Sequence, residues 1–234
     1  MDVVTTTAMT AVTVDLATRP VRELNAALHG PDPAPRWRVL HPAGAHNVAV
    51  GVDAPVAIEI DGPVGYYCAG LNQHAGVLVR GNAGTGLAEN IVSGTVRVTG
   101  SASQSVAASG VGGLVVVDGD TGARCGIALR GADVVVGGGV GHMSAFMAQA
   151  GRLVVCGDAG HSLGDSIYEA RLYVRGAVAS LGTDCVEKPM RPEHLAELAD
   201  LLARAGRDDD PAAFRRYGSA RRLYHFDTAN HAAY

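Results

Sequence analysis

Seven glycines, at 62, 81, 100, 119, 138, 157 and 176, each close a short run in which apolar positions alternate with variable ones: IEIDG, VLVRG, VRVTG, VVVDG, VVVGG, LVVCG and LYVRG. Two residues before each glycine stands a β-branched residue: Ile60, Val79, Val98, Val117, Val136, Val155 or Val174. Four residues before stand Ile58, Val77, Val96, Val115, Val134, Leu153 and Leu172. Between these two columns lies a variable one: Glu59, Leu78, Arg97, Val116, Val135, Val154 and Tyr173. Alternation with period two predicts a strand with one face in and one out, and β-branched residues suit a pleated surface. The spacing of 19 residues never varies, and a fixed period near 20 marks a repeat architecture.

Further columns fill in the turn. Three residues after each closing glycine come Gly65, Gly84, Ser103, Gly122, Gly141 and Gly160, which predicts either a positive φ or no room for a Cβ. Six residues after come Cys68, Leu87, Val106, Cys125, Ser144 and Leu163, a third inward column. Another glycine precedes the next strand at 76, 94, 113, 131 and 151, and Gly131 stands one place off the beat, which predicts a local shift. One such turn cannot bury its apolar residues alone, whereas stacked turns pair their backbones and lay like on like. The predicted fold is therefore all-β: a single-stranded, right-handed parallel β-helix of about seven 19-residue turns, roughly 34 Å long at the usual strand spacing.

The flanks read as helices covering the ends of the rod, whose edges need protection. In TRPVRELNAALHG, Thr18 is the expected cap, Pro20 lies in the first turn, Val21, Leu24 and Leu28 share a face, and Gly30 stops the helix. In RPEHLAELADLLARAG, Leu195, Leu198, Leu201 and Leu202 share a face and Gly206 ends it. The expected organisation is a helical cap over 1–44, the β-helix over 45–185, and a helix with a tail over 186–234. That tail carries Arg215, Arg216, Arg221 and Arg222 among aromatics, either packed along the rod or reaching to a partner.

Composition narrows the function classes. A net charge of −4 gives no reason to expect nucleic acid. The start, MDVVTTTAMTAVTVDL, lacks the basic and continuous apolar regions of a signal peptide, and no apolar stretch approaches the roughly 20 residues that span a bilayer; a cytoplasmic protein is expected. Cys68, Cys125, Cys156 and Cys185 contain no CxxC pair, so packed, reduced thiols are set against a metal or iron–sulfur site. GNAGTG (81–86) and GDAGHSLG (157–164) look like phosphate loops but fall on the 19-residue beat, so they are turn chemistry. His142 and His161 stand one turn apart and, with Asp158 or Asp165, offer a possible metal pair; polar surface residues are the other reading. No catalytic constellation stands out, and no catalytic, cofactor-binding or metal residue is assigned.

The segments out of step with a plain scaffold are VGYYCAGLNQHAG (64–76), GHMSAFMAQAG (141–151) and GDSIYEARLYVRG (164–176). Aromatics and methionines are enriched at interfaces, and the alternative is core filling. Tyr66, Tyr67, Asn72, Gln73, His142, Met143, Phe146, Tyr168, Arg221 and Arg222 are the candidate partner-binding residues.

The succession VLVRGNAGTGLAENIVSGTVRVTG, GDTGARCGIALRGADVVVGG and GHMSAFMAQAGRLVVCGDAGHSLGDSIYEARLYVRG resembles the C-terminal "GXGXG" domain of the glutamate synthase large subunit, over residues 45–185. It is also similar to one of the subunits of formylmethanofuran dehydrogenase. With GYYCAGLNQ, SIYEARLYVRG and the RRLYHF tail, the chain looks most like the separate domain-3 subunit of split glutamate synthase-like enzymes, of which N-methylglutamate synthase (methylamine–glutamate N-methyltransferase) is the type. The resemblance implies a non-catalytic β-helix scaffold. It implies two partners, a class II glutamine amidotransferase with an N-terminal cysteine and a glutamate synthase-like protein holding FMN and an iron–sulfur cluster. No cofactor is then expected in this chain. A formylmethanofuran dehydrogenase-like role, a metal-binding chain and a self-assembling module are the alternatives.

Overall fold

A computed structural model describes residues 11–221. Seven strands carry the 19-residue beat: β3 (Ala57–Asp61), β4 (Gly76–Val79), β5 (Thr95–Val98), β6 (Leu114–Val117), β7 (Arg130–Val136), β8 (Ala150–Val155) and β9 (Arg171–Val174). Each pairs in parallel with the next, Ile58 opposite Val77, Val77 opposite Val96, and so on to Leu153 opposite Leu172. The chain is a parallel β-solenoid. Both inward columns of the strands are buried along the whole stack, and so is the column from Cys68 to Leu163. The shift expected at Gly131 is present as a register irregularity between Arg130 and Asp133.

A fourth inward column was not singled out from the sequence. Val64, Ala83, Ala102, Thr121, Val140, Ala159 and Val178, two residues after each closing glycine, form a ladder of parallel bridges. Their small or β-branched side chains fit the corner of a narrow turn, and the repeated Val/Ala/Thr was the available signal. Beside them Asn82, Ser101, Asp120 and Asp158 each accept a hydrogen bond from the backbone N–H one turn on, at 2.7–3.1 Å. The glycines three residues after the closing position have no positive φ; the second expectation holds, because a Cβ on Gly84 would lie 2.6 Å from the Gly65 carbonyl carbon.

The closing glycines are packed in the same way. A Cβ on Gly157 would lie 2.6 Å from the carbonyl carbon of Gly138 and 2.8 Å from its oxygen, where the Gly157 N–H donates at 2.8 Å. Backbone cannot swing aside as a side chain can. Gly157→Ala is therefore expected to lose about 1–3 kcal/mol in chemical denaturation, the usual cost of overpacking.

The sheet extends beyond the repeat on both sides and passes through all three expected segments. β1 (Val12–Asp15) and β2 (Arg36–Leu40) add two parallel rungs before β3, with longer offsets: Val12 faces Trp37, and Trp37 faces Ile58. After β9 come β11 (Arg215–Ser219) and then β10 (Cys185–Lys188), both antiparallel, so the start of the expected tail is an added strand.

Of the two helices only α1 covers an end of the rod; α2 does not. α1 (Val21–Leu28) lies between β1 and β2, inside the first turn, with Leu24 and Leu28 buried. Pro20, not Thr18, is its N-cap; the Thr18 hydroxyl donates instead to the Asp15 carbonyl. Asn25 donates to the Asn47 carbonyl at 2.8 Å and accepts from the Ala49 N–H at 3.0 Å, so α1 supplies the partners a preceding turn would have given. α2 (Pro192–Arg204) lies along the side of the rod. Its Leu198, Leu201 and Leu202, with Phe214, bury the outward column where that column turns apolar, at Val116, Val135, Val154 and Tyr173. The variable column is thus outward throughout, yet four of its seven residues are core.

An ion network borders this helix. Asp133 pairs with Arg152 at 2.6 Å and Arg204 at 3.4 Å, and Glu197 pairs with Arg171 at 2.7 Å and accepts from the Tyr173 hydroxyl at 2.6 Å. In the following loop Asp209 meets Arg207 at 2.6 Å and also Arg175. Burial raises the Asp209 carboxyl, but the Arg207 hydrogen bond and the charges of Arg207 and Arg175 outweigh it and hold the group below the usual carboxylate range. A depressed folded pKa adds stability above the unfolded value of about 3.9 that is lost as pH falls through the folded value. Thermal unfolding below about pH 4 should thus show a steeper loss in the native chain than in Asp209→Asn.

Candidate functional site

The third side of each turn is not a strand. At five, seven and nine residues after the closing glycine the backbone takes φ near +55°: Tyr67, Ala69 and Leu71 in one turn, Ser105, Ala107 and Ser109 in another, Met143, Ala145 and Met147 in a third. For an L-residue this conformation costs roughly 1–2 kcal/mol. The compensation is a ladder that bonds both ways. Tyr67 N–H donates forward to Thr85 at 2.9 Å, Ala69 back to Val48 at 2.9 Å, and Leu71 forward to Glu89 at 2.8 Å, and the turns that follow repeat this. The alternation changes which side chains face out. Positions six, seven and ten are buried, while four, five, nine and eleven are exposed or half-exposed, except Gly86 beneath the Tyr67 ring.

This face collects the sequence-predicted residues. Tyr66 and Tyr67 are 52% and 45% exposed, and Tyr168 is 43% exposed at the other end. The Tyr66 ring stacks on His46 with centroids 4.5 Å apart, and the Tyr67 ring lies over Gly86, where a Cβ would come within 2.8 Å of it. Gln73 and His142 are exposed, and Met143 and Phe146 are half-buried. Asn72 is a correction: it is fully buried, its amide donating to the Ala75 and Ser93 carbonyls at 3.0 and 2.9 Å, so it ties two turns together. Arg221 lies elsewhere, paired with Asp184 at the end of the rod, and Arg222 falls outside the described residues.

Leu71, Val92 and Val111 were missed, whereas Met147 is a methionine of the segment 141–151 already set apart. Leu71, Val92, Val111 and Met147 are exposed on the same face, nine or eleven residues after a closing glycine. With the three tyrosines they make seven of the ten large exposed hydrophobics among the described residues. The face is also poor in charge. Its six turns of eight residues, from 66–73 to 161–168, hold four charged side chains among 48: Glu89, Arg124, Arg130 and Asp165.

The other candidate chemistry resolves into structure. The four cysteines are buried and unpaired; burial pushes the Cys68 and Cys125 thiols up to about 12 and those of Cys156 and Cys185 to about 11. A thiol so raised is a poor nucleophile at neutral pH. His142 and His161 lie on successive turns, as expected, where the Met143 N–H donates to the His161 carbonyl at 2.8 Å. Asp158, however, accepts from the Ala177 N–H, and Asp165 accepts from the Ser166 hydroxyl and the Thr183 N–H, which lower its pKa. Both carboxylates thus serve the next turn, and among the described residues no three His, Cys, Asp or Glu side chains converge on a metal position. No helix of the described residues is long and apolar enough to cross a membrane.

No protein-family model matches the chain. It is 63% identical over 225 residues to Protein GlxC of Rhizobium meliloti (strain 1021), an alignment covering 94% of this chain and 99% of that protein. The chain belongs to the GlxC family. Coverage of nearly the whole length of both proteins makes the entire solenoid, from β1 through α2 to β11, the unit that the GlxC relative shares. Membership of the GlxC family fits a glutamate synthase-like relationship, the coarser part of what the repeat's resemblance implies.

Proposed function

We propose that this chain is a non-catalytic scaffold in a glutamate synthase-like glutamine amidotransferase complex of the N-methylglutamate synthase type, acting in the cytoplasm on glutamate and methylamine. The observation that carries the reading is the third face of the solenoid, rigid, charge-poor and set with exposed Tyr66, Tyr67, Leu71, Val92, Val111, Met147 and Tyr168. Interface cores are depleted in charge and enriched in aromatics and methionine, and apolar surface gathered on one side marks a contact site. The division of labour comes from the GXGXG resemblance. One partner is a class II glutamine amidotransferase, and the synthase chemistry belongs to a second partner that holds FMN and an iron–sulfur cluster. This chain holds the two in register.

Leu71→Asp and Tyr67→Glu test the face without touching the buried columns. Each variant is expected to melt like the native chain and to lose, by about tenfold or more, its co-purification with co-expressed amidotransferase and synthase chains. Unchanged recovery of both partners with both variants would remove this face from the assembly.

A further inference from the structure

The end of the rod beside α2 places cations side by side. Lys188 on β10, Arg216 on β11 and Tyr173 on β9 are directly opposite one another in register, so their side chains share the face on which α2 lies. Like charges directly opposite each other across a ladder are destabilising. Arg171 and Arg191 stand in the same neighbourhood, at the start of β9 and immediately before α2.

Carboxylates account for only part of this charge. Glu197 takes Arg171 at 2.7 Å, Glu193 lies 3.8 Å from Arg191, and Glu187 lies 4.0 Å from Arg215. Arg216 spends its Nε on the Pro189 carbonyl at 3.1 Å, and neither it nor Lys188 has an ion pair among the described residues. On this face the four cations Lys188, Arg216, Arg171 and Arg191 meet two carboxylates, Glu197 and Glu193, leaving two positive charges, while Glu187 and Arg215 offset each other. Arg216 is held below the usual range chiefly by burial, with Arg191 and Arg171 lowering it further against Tyr173 and Glu193, and His194 is lowered by burial and then by Arg216 and Arg171 against Glu193 and Glu197. Next to Lys188 and Arg216 opens a recess of about 380 Å³, walled also by Arg215, Glu187, Pro189, Met190 and Phe214.

We propose that this recess is a seat for a phosphate dianion, free or carried by a small molecule, gripped by the Arg216 guanidinium and the Lys188 ammonium. A dianion matches the two uncompensated charges, and a guanidinium beside an ammonium is a common arrangement for phosphate oxygens. The seat is independent of the partner-binding face, which lies on another side of the turn.

The test is thermal unfolding of the full chain in inorganic phosphate against chloride at matched ionic strength. Phosphate at about ten times its half-saturating concentration is expected to raise the midpoint by about 3–6 °C over chloride. Lys188→Gln removes one of two facing like charges, so without phosphate it should melt at or above the native temperature, and its phosphate-specific rise should vanish. Arg36→Gln, at the far end of the sheet, should keep the full rise. Equal midpoints in phosphate and chloride would overturn the proposal. So would a rise that survives in Lys188→Gln, or a Lys188→Gln chain that melts lower than the native one without phosphate.

Discussion

Val136→Asp leaves no folded chain. Val136 is 0% exposed and stands in register between Val117 and Val155, in a column of β-branched residues that runs the length of the rod. A carboxylate there has no cation and no hydrogen-bond partner. Burying it costs more than about 4–5 kcal/mol, against a total stability of about 5–15 kcal/mol for an ordinary domain. In a solenoid the damage spreads, because each turn is held chiefly by its neighbours. The expected result is loss of the protein from the soluble fraction and of any cooperative unfolding transition, and Val117→Asp should behave alike. Val92→Asp is the control: that residue is 45% exposed on the third face, and the change should alter stability by less than about 0.5 kcal/mol. A soluble, native-like Val136→Asp chain would mean that the inward column has been misassigned.

Leu201→Ala should lose about 2–5 kcal/mol in chemical denaturation, the range for a buried leucine that leaves a cavity. Leu201 is 0% exposed between α2 and the outward column at Val116, Val135 and Val154. A 13-residue helix is about 20 Å long and so crosses the four strands β6 to β9 at about 4.8 Å each. Those four outward positions are apolar, whereas Glu59 and Leu78 on β3 and β4, which α2 does not cover, and Arg97 on β5, which donates to the Ala205 carbonyl at the helix end at 2.9 Å, are only half-buried. The change should also expose Val135 and Val154 and promote aggregation, measurable by light scattering during the melt. Stability within about 0.5 kcal/mol of the native chain would show that α2 is dispensable.

The sheet was legible because two physical signals agreed over seven turns: period-two alternation within each strand and a constant 19-residue return. The irregularity at Gly131 was read from a glycine one place off the beat, although Gly76, also one place off, pairs with Ala57 without any register shift. The apolar stripe of α2 was legible too, but not its position. Its partner was written in the change from Glu59 and Arg97 to Val116, Val135 and Val154 within one column, a signal that reads as mere variability until a cover is sought for it. Asn25 was missed because a side chain that replaces a backbone turn has no local signature.

The third face was the least legible part. Runs in which every second residue is left-handed are uncommon for L-residues, and tyrosine, alanine, serine, methionine and arginine occupy those positions with no compositional mark. Their conformation follows from hydrogen bonds to the turns on both sides, which a single turn's sequence does not carry. Tyr66, Tyr67 and Tyr168 were nonetheless found as residues that break an apolar, glycine-rich pattern. Asn72 broke the pattern for a different reason, as a buried strut between turns, and Leu71, Val92 and Val111 were hidden because an aliphatic residue in a solenoid reads as core.

Hydroxyl-radical footprinting of the isolated chain and of the chain co-expressed and purified with its amidotransferase and synthase partners measures the central claim most directly. Tyr66, Tyr67, Met147 and Tyr168 are oxidisable and exposed on the proposed contact face. The account predicts that all four react in the isolated chain and that Tyr66, Tyr67 and Met147 are protected severalfold in the complex. A chain that never co-purifies with either partner, or a complex in which these side chains react as freely as in isolation, would contradict it.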